Sequence, residues 1–168
     1  SYEKNNKKFN FKIFNSLINN FLKKHRSKII FEPGRSIIAN TGILISKVIY
    51  IKRNKNKNFI ILDAAMNDFM RKALYGANHQ IIPSIKNGRI LHKKFEFVGP
   101  ICESTDKFLT LNKFQLLKEQ DLIIICDVGA YGMSLASNYN VRPLPAEILV
   151  KNSSAQIIRN RQKLSDLI

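Results

Sequence analysis

With 168 residues and 45% hydrophobic content, the chain is long enough for one substantial core, or for one domain with part of another, which places it in the globular class. Its net charge of +16 invites a nucleic-acid partner, yet Lys outnumbers Arg 20 to 8 and the basic excess lies in the front third between Asn and apolar residues, as on a solvated helix face, so no nucleic-acid partner is expected. No apolar run reaches the roughly 18 residues of a membrane helix and no signal-peptide pattern opens the chain, so neither membrane insertion nor export is expected.

The chain begins at Ser1 rather than Met, in a polar stretch, so a natural N-terminus elsewhere is expected, and with it a fragment of a longer protein. Phe11, Phe14, Leu17, Ile18, Phe21 and Leu22 recur at helical spacing and predict an amphipathic helix from about Phe9 to His25. Lys28-Ile29-Ile30-Phe31 reads as a short buried strand stopped by Glu32-Pro33-Gly34. Helix, strand and glycine-containing loop are the grammar of a parallel α/β unit. After Gly42 the texture changes to β-rich segments at 43–52, 59–63, 80–84, 94–98, 121–127 and 147–150. Residues 53–58 read as a hairpin loop and Lys86-Asn87-Gly88 as a tight turn. A short helix is expected from Asn67 to Tyr75, and a final helix from Ala155 onward, where Ile157, Ile158, Leu164 and Leu167 sit among Arg159, Arg161 and Lys163. The triplet Asn152-Ser153-Ser154 fits a glycosylation acceptor but carries no meaning in a cytosolic protein. The front forty residues thus look like the end of an α/β domain, and the remainder like a mostly antiparallel β domain.

Cys102 and Cys126 have neither CxxC spacing nor a disulfide framework, and His25, His79 and His92 have no ligand spacing, which points to a reducing, cytoplasmic setting and no metal. The most informative stretch is Gly99-Pro100-Ile101-Cys102-Glu103-Ser104, which ends the alternating run 94–98 and delivers a thiol and a carboxylate side by side to a strand's exit. Such a pair can give up a proton and hold a cation, although a single Cys is more often a small buried hydrophobe. Glu32-Pro33-Gly34-Arg35 follows the expected strand, where a parallel barrel places its ligands. Gly34 lets backbone N–H groups approach an anion and Arg35 offers a bidentate fork for phosphate or carboxylate; a plain strand-to-helix turn with a surface Arg reads the same residues. Arg71 and Tyr75 stand four apart, on one face of the short helix, able to share one carboxylate, as would an exposed Arg beside a half-buried Tyr without any ligand. Gly129-Ala130-Tyr131-Gly132 closes the apolar run 122–126 and presents one Tyr at a strand end, without the GxGxxG of a dinucleotide site. The polar loop Ser137–Pro143 is open to a functional or a structural reading. No Ser-His-Asp order, GxSxG or NTPase phosphate loop is present.

Taken in order, EPGRS at 32–36, DAAMNDFMRKALY at 63–75, GPICES at 99–104, GAYG at 129–132 and SNYNVRP at 137–143 resemble the diaminopimelate decarboxylases, within the barrel-type pyridoxal-phosphate-dependent decarboxylases. The match covers nearly the whole chain. EPGR is shared across the wider family, whereas ornithine-type relatives typically carry Cys-Asp in place of Cys102-Glu103. The resemblance implies an α+β fold: the last β/α unit of a (β/α)8 barrel over residues 1–41, followed over 42–168 by a mostly antiparallel C-terminal β-sandwich or barrel domain with short helices. It implies pyridoxal 5'-phosphate as cofactor, decarboxylation of meso-diaminopimelate to L-lysine and CO2, and a homodimer with shared active sites. It also implies roles. Glu32, Pro33, Gly34 and Arg35 surround the cofactor phosphate, with Arg35 reaching the substrate as well. Arg71 and Tyr75 hold the substrate's distal carboxylate, and Tyr131 touches cofactor and substrate. Cys102 is the proton donor reaching across the dimer interface, and Glu103 is a substrate ligand beside it. A thiol suits that task, being mostly protonated at neutral pH yet able to donate.

The chain departs from the family pattern at Lys72, where Pro is usual. The family's Schiff-base lysine and glycine-rich phosphate loop belong to the barrel upstream of Ser1, so none of the 20 lysines takes that role and the isolated chain is expected to be inactive. Two other readings stay open: a non-catalytic remnant of such an enzyme, and a basic nucleic-acid-binding β domain.

Overall fold

In the computed structural model, which describes residues 9–168, the chain opens on helix α1 (Phe11–Lys24). Asn10 caps it, its Oδ1 accepting from the backbone N–H groups of Lys12 and Ile13 at 3.1 Å each, and Lys23 and Lys24 complement the helix dipole in the last turn. The apolar stripe is there, yet no residue of α1 is buried. Phe14 rests on Phe31, with ring centroids 5.4 Å apart. Residues 28–31, expected as a buried strand, carry no strand structure, and Ile30 is 87% exposed. A strand exists by pairing its backbone with a neighbour, and no strand among the described residues lies beside this one. The first eight residues of the expected 1–41 unit lie outside the described residues.

Helix α2 (Arg35–Ile38) and a 3-10 turn lead into β1 (Ile43–Arg53), followed by β2 (Lys57–Leu62), α3 (Arg71–Tyr75), β3 (Ile81–Pro83), β4 (Ile90–Leu91), β5 (Lys94–Val98), β6 (Lys107–Leu111), β7 (Phe114–Gln115), β8 (Leu122–Cys126), β9 (Glu147–Lys151) and β10 (Ser154–Arg159). Six strands form one sheet in the order β3-β8-β1-β2-β5-β6. Residues 53–58 close the β1–β2 hairpin as expected, with Asn54 N–H donating to Lys57 O at 2.9 Å. Every pairing in this sheet is antiparallel except β2 with β5, whose long connection through α3 and β3 permits a parallel return. Residues of both edges, Ile81 of β3 and Leu109 and Leu111 of β6, line one cavity of about 630 Å3, so the sheet curls until its edges face one another.

The core follows the period-2 rule. Alternate residues of β2 are buried, and Ile60, Leu62, Phe95, Phe97, Val48, Ile123 and Ile125 are all 0–1% exposed. Phe114 packs edge-on to Phe97, ring centroids 5.0 Å apart. On the same strand as Phe97, Glu96 lies within 3.4 to 3.6 Å of three ammonium groups, those of Lys57, Lys94 and Lys107. Burial alone would raise its carboxyl, but the three cations together hold it below the usual range.

The tail corrects the expected final helix. Residues 154–159 are strand β10, paired antiparallel with β9, and only the 3-10 turn Leu164–Asp166 is helical beyond it. Asn152 takes a left-handed backbone (φ 54) at the hairpin turn, a conformation Asn tolerates, and Ser154 Oγ donates to Lys151 O at 2.9 Å. The glycosylation triplet is therefore a hairpin turn. The short helix starts at Arg71 rather than Asn67, because Asp68 Oδ2 accepts from Ala65 N–H at 2.8 Å and draws residues 65–68 into a separate turn. Lys86-Asn87-Gly88 forms a bend without a turn hydrogen bond, and β4, β6 and β7 were not expected. Among the described residues no helix is long and apolar enough to cross a membrane.

Candidate functional site

Beyond β8 the chain must leave a buried strand and reverse, and it does so through left-handed backbone at Asp127 and Tyr131, both with φ 59. Such residues cost about 1–3 kcal/mol each and persist where the surroundings hold them. Here Val128 N–H donates to Gly42 O at 2.9 Å and Gly129 N–H to Ala39 O at 3.0 Å. Gly129 is required for that approach, since a Cβ would stand 2.1 Å from Ile38 O. The Gly-Ala-Tyr-Gly loop is thereby clamped to the turn after α2, and the Tyr131 hydroxyl lies 3.5 Å from where a Cβ on Gly34 would be.

Helix α3 brings in the third part. Arg71 is 7% exposed, and its guanidinium carbon lies 4.8 Å from the Tyr75 ring centroid and 5.5 Å from that of Tyr131. Gly76 ends the helix in a left-handed conformation (φ 64), its N–H donating to Lys72 O. Lys72 Nζ donates to Gly76 O at 3.3 Å and to Asn78 Oδ1 at 2.5 Å, so the Lys at this position braces the end of the helix. Beside it, His79 is buried, with its ring 4.6 Å from that of Phe69 and Nδ1 3.0 Å from Cys126 O. A carbonyl only accepts, so Nδ1 carries the proton. Burial pushes His79 below the usual histidine value; the Cys126 carbonyl opposes this, and the Arg71 and Arg35 cations add to it. Gly34, Arg35, Arg71, Tyr75 and Tyr131 thus stand around one cationic locus suited to carboxylate or phosphate.

Cys102 and Glu103 lie in the loop between β5 and β6. Cys102 and Cys126 are both free thiols, and Cys102 is exposed. Glu103 Oε1 accepts from Thr105 N–H and from Ser104 Oγ, each at 3.2 Å, which holds its carboxyl below the usual range and keeps it anionic at neutral pH. This loop joins the rest of the site through the turn 63–68, which precedes α3. Arg142 grips that turn, donating to Asn67 Oδ1 at 3.0 Å, to Asp63 O, and to Asp68 Oδ2 at 3.4 Å. Asn67, fully buried, exchanges two hydrogen bonds of 3.0 Å with the backbone of Ser137. The Ser137–Pro143 loop is in this respect structural. Burial raises the Asp68 carboxyl, opposed by the Ala65 N–H and Arg142.

Asn67, Asp68, His79 and Asp106 were missed as site-supporting residues. Their signal in the sequence is slight: a polar residue in a turn or strand end, recognisable only by what it bonds. Glu32, Pro33, Gly34 and Arg35 are all exposed, on the rim of the cluster rather than inside it. Two surface cavities, of about 570 and 630 Å3, are lined by none of the candidate residues.

A curled, mostly antiparallel sheet carrying this cluster is the architecture of a known class. Residues 36–129 match the family described as pyridoxal-dependent decarboxylase, C-terminal sheet domain, and the chain belongs to that family. Within it, the diaminopimelate decarboxylase of Zymomonas mobilis is 43% identical over 155 residues, 92% of this chain and 36% of its own length. That of Vibrio cholerae is 44% identical over 147 residues, 87% of this chain and 35% of its own. The crystal structure of diaminopimelate decarboxylase from Helicobacter pylori complexed with L-lysine superposes with a TM-score of 0.88 at 41% identity, over 99% of this chain and 41% of that one. The chain spans between 35% and 41% of the length of these relatives.

Proposed function

We propose that this chain is the C-terminal portion of a diaminopimelate decarboxylase, in which its residues serve the pyridoxal-phosphate-dependent conversion of meso-diaminopimelate to L-lysine and CO2. The observation that carries this reading is the convergence of Gly34, Arg71, Tyr75 and Tyr131 in one cationic cluster, in a chain whose relatives carry that name.

The donor set fits an anionic cofactor: the glycine at 34 leaves its backbone open to close approach beside the Tyr131 hydroxyl, and Arg35 adjoins it. Glu32, Pro33, Gly34, Arg35 and Tyr131 would hold pyridoxal phosphate, which when bound takes up the electron pair left as CO2 departs. Arg71, with Tyr75 against its guanidinium, pairs with the substrate's distal carboxylate, while Arg35 and Tyr131 border the reacting end. Glu103, held anionic by Ser104 and Thr105, pairs with an ammonium group. An analogue lacking the distal carboxylate leaves the buried Arg71 guanidinium without its anion, which discriminates by about 10⁴. The Cys102 thiol gives its proton to the carbon that has lost CO2, a C–H bond replacing the broken C–C bond, and the thiolate regains a proton from solvent.

Residues 1–41 are assigned to a (β/α)8 barrel and 42–168 to the C-terminal domain. The uncovered apolar stripe of α1 and the unpaired segment 28–31 support this division. Exposure of Cys102 supports a homodimer in which each protomer lends Cys102 and Glu103 to its partner's site.

The test is to produce the chain with an upstream barrel segment and measure CO2 release from meso-diaminopimelate. Activity is expected, with Cys102→Ala lowering kcat by about 10²–10⁴-fold. No CO2 release would overturn the reading, and activity unchanged by Cys102→Ala would overturn the role of the thiol.

A further inference from the structure

We propose that Asp106 is the positioning residue that fixes the Cys102–Glu103 loop, holding it against the turn that leads into the helix bearing Arg71 and Tyr75; this rests on the reading that Cys102 and Glu103 are lent to the partner's site while Arg71 and Tyr75 serve the protomer's own. Asp106 is 4% exposed, and its two carboxylate oxygens are divided between two segments. Oδ1 accepts from Met66 N–H at 2.7 Å and Oδ2 from Ile101 N–H at 2.8 Å. Met66 lies in the turn that leads into α3, and Ile101 is the residue before Cys102. One side chain thereby ties the loop of the proton donor, which acts in the partner's site, to the entrance of the helix that would bind the substrate's far end in the protomer's own site.

The backbone closes the loop around the same residue. Gly99 N–H donates to Asp106 O at 3.0 Å, Asp106 N–H to Glu103 O at 3.0 Å, and Glu103 N–H to Ile101 O at 2.8 Å. Thr105 Oγ1 adds a second link to the turn, 3.4 Å from Met66 Sδ. The turn is itself anchored from the other side by Arg142, so the loop is tied to something already held. Gly99 makes room for the arrangement: a Cβ there would stand 2.2 and 2.3 Å from the two carboxylate oxygens. Two residues of the Gly-Pro-Ile-Cys-Glu-Ser-Thr-Asp stretch, its first and its last, are thus explained by one contact, and neither needs to touch substrate.

A carboxylate is needed because both oxygens must accept. In Asn the nitrogen would face one of the two backbone N–H groups, donor against donor, and that tie would break. Gly99→Ala attacks the same contact from the opposite side. In the full-length protein, Asp106→Asn and Gly99→Ala are each expected to lower kcat for CO2 release by about ten- to a hundredfold, the scale of an ångström-sized misplacement of a catalytic group. They are also expected to raise the rate of Cys102 alkylation by iodoacetamide several-fold, read by mass spectrometry of the Cys102 peptide. Because Asp106→Ala removes the carboxylate that an added Cβ would strike, Gly99→Ala combined with Asp106→Ala should be no worse than Asp106→Ala alone. Unchanged alkylation with less than about twofold change in kcat in both single variants overturns the proposal, as do independent, multiplying losses in the double variant. If the wild-type protein releases no CO2, the decarboxylase reading fails by itself, and the alkylation rates still decide whether Asp106 sets the loop.

Discussion

Helix α1 and strand β2 carry comparable apolar faces and meet opposite fates. In β2 every second residue is buried, because β1 and β5 flank it and its Ile60 and Leu62 join Phe95, Phe97 and Phe114 in one hydrophobic cluster. In α1 the face is equally well formed, capped and charged at its end, and no residue is buried. An amphipathic pattern states that a face needs covering; what covers it is a separate fact, supplied by other elements. The contrast locates the buried core of the described residues in the sheet and leaves the apolar face of α1 uncovered.

The strongest way to break that contrast is to truncate a large apolar side chain on each side of it. Phe97→Ala, fully buried, should cost about 3–5 kcal/mol by thermal or denaturant melting of the 168-residue chain. Phe21→Ala, at 45% exposure, should cost about 0.5 kcal/mol or less. Equal losses would show that α1 belongs to the same core. Gly129→Ala comes next: its Cβ would meet Ile38 O, and the clamp between the Tyr131 loop and residues 38–42 should weaken by about 1–3 kcal/mol, read as a lower melting temperature.

Titration sharpens the same contrast, since among the described residues the shifted groups, Asp68, His79, Glu96, Glu103 and Asp106, all lie beyond β2. The folded pKa of His79 is depressed, so its contribution is present above the usual histidine range and lost as pH falls through the folded value. Melting temperature should therefore drop between about pH 7 and pH 5, and His79→Gln should flatten that limb. Glu96 has the same sign further down: its stabilisation is present above the usual carboxylate range and lost as pH falls through its lowered folded value. Asp68 and Asp106 oppose it, because their folded values are raised and the folded state takes up protons first. Glu96→Gln should make the acid limb shallower, leaving Glu103 on one side and Asp68 and Asp106 on the other. At the edge of the molecule a local effect is expected that leaves the sheet untouched. Asn10→Ala removes the cap of α1, about 1 kcal/mol of helix stability, and should reduce far-UV helical signal while the melting of the sheet stays where it was.

Much of the fold was legible because its signals are local. The β-rich segments at 43–52, 59–63, 94–98 and 121–127 became β1, β2, β5 and β8, and the Asn/Lys loop at 53–58 became the β1–β2 hairpin. Where two neighbouring periods compete, local reading failed. The tail from Ala155 has apolar residues compatible with a helix, yet a left-handed Asn152 turns the chain so that β9 captures it as β10. Lys107–Leu111 carries no clean alternation, with Phe108 and Leu109 adjacent, and its pairing with β5 is what makes it a strand. At the site, the motif residues were legible as chemistry, and Arg71 with Tyr75 met on one helix face as their spacing required. Their supports were not, because Asp106 holds a backbone N–H forty positions away, and Arg142 reaches the Asp63 carbonyl and the Asp68 carboxylate more than seventy positions away.

By itself, the sequence determined which residues could carry charge, donate a proton or bend the backbone, and which faces were apolar. These follow from side-chain chemistry and from the fixed periods of helix and strand. Only the tertiary structure decided which faces were covered, which turn became a hairpin, and that one carboxylate at Asp106 joins the Cys102–Glu103 loop to the entrance of the Arg71 helix. Those outcomes depend on contacts between distant segments, whose free energy appears only when the sheet has curled and brought them together.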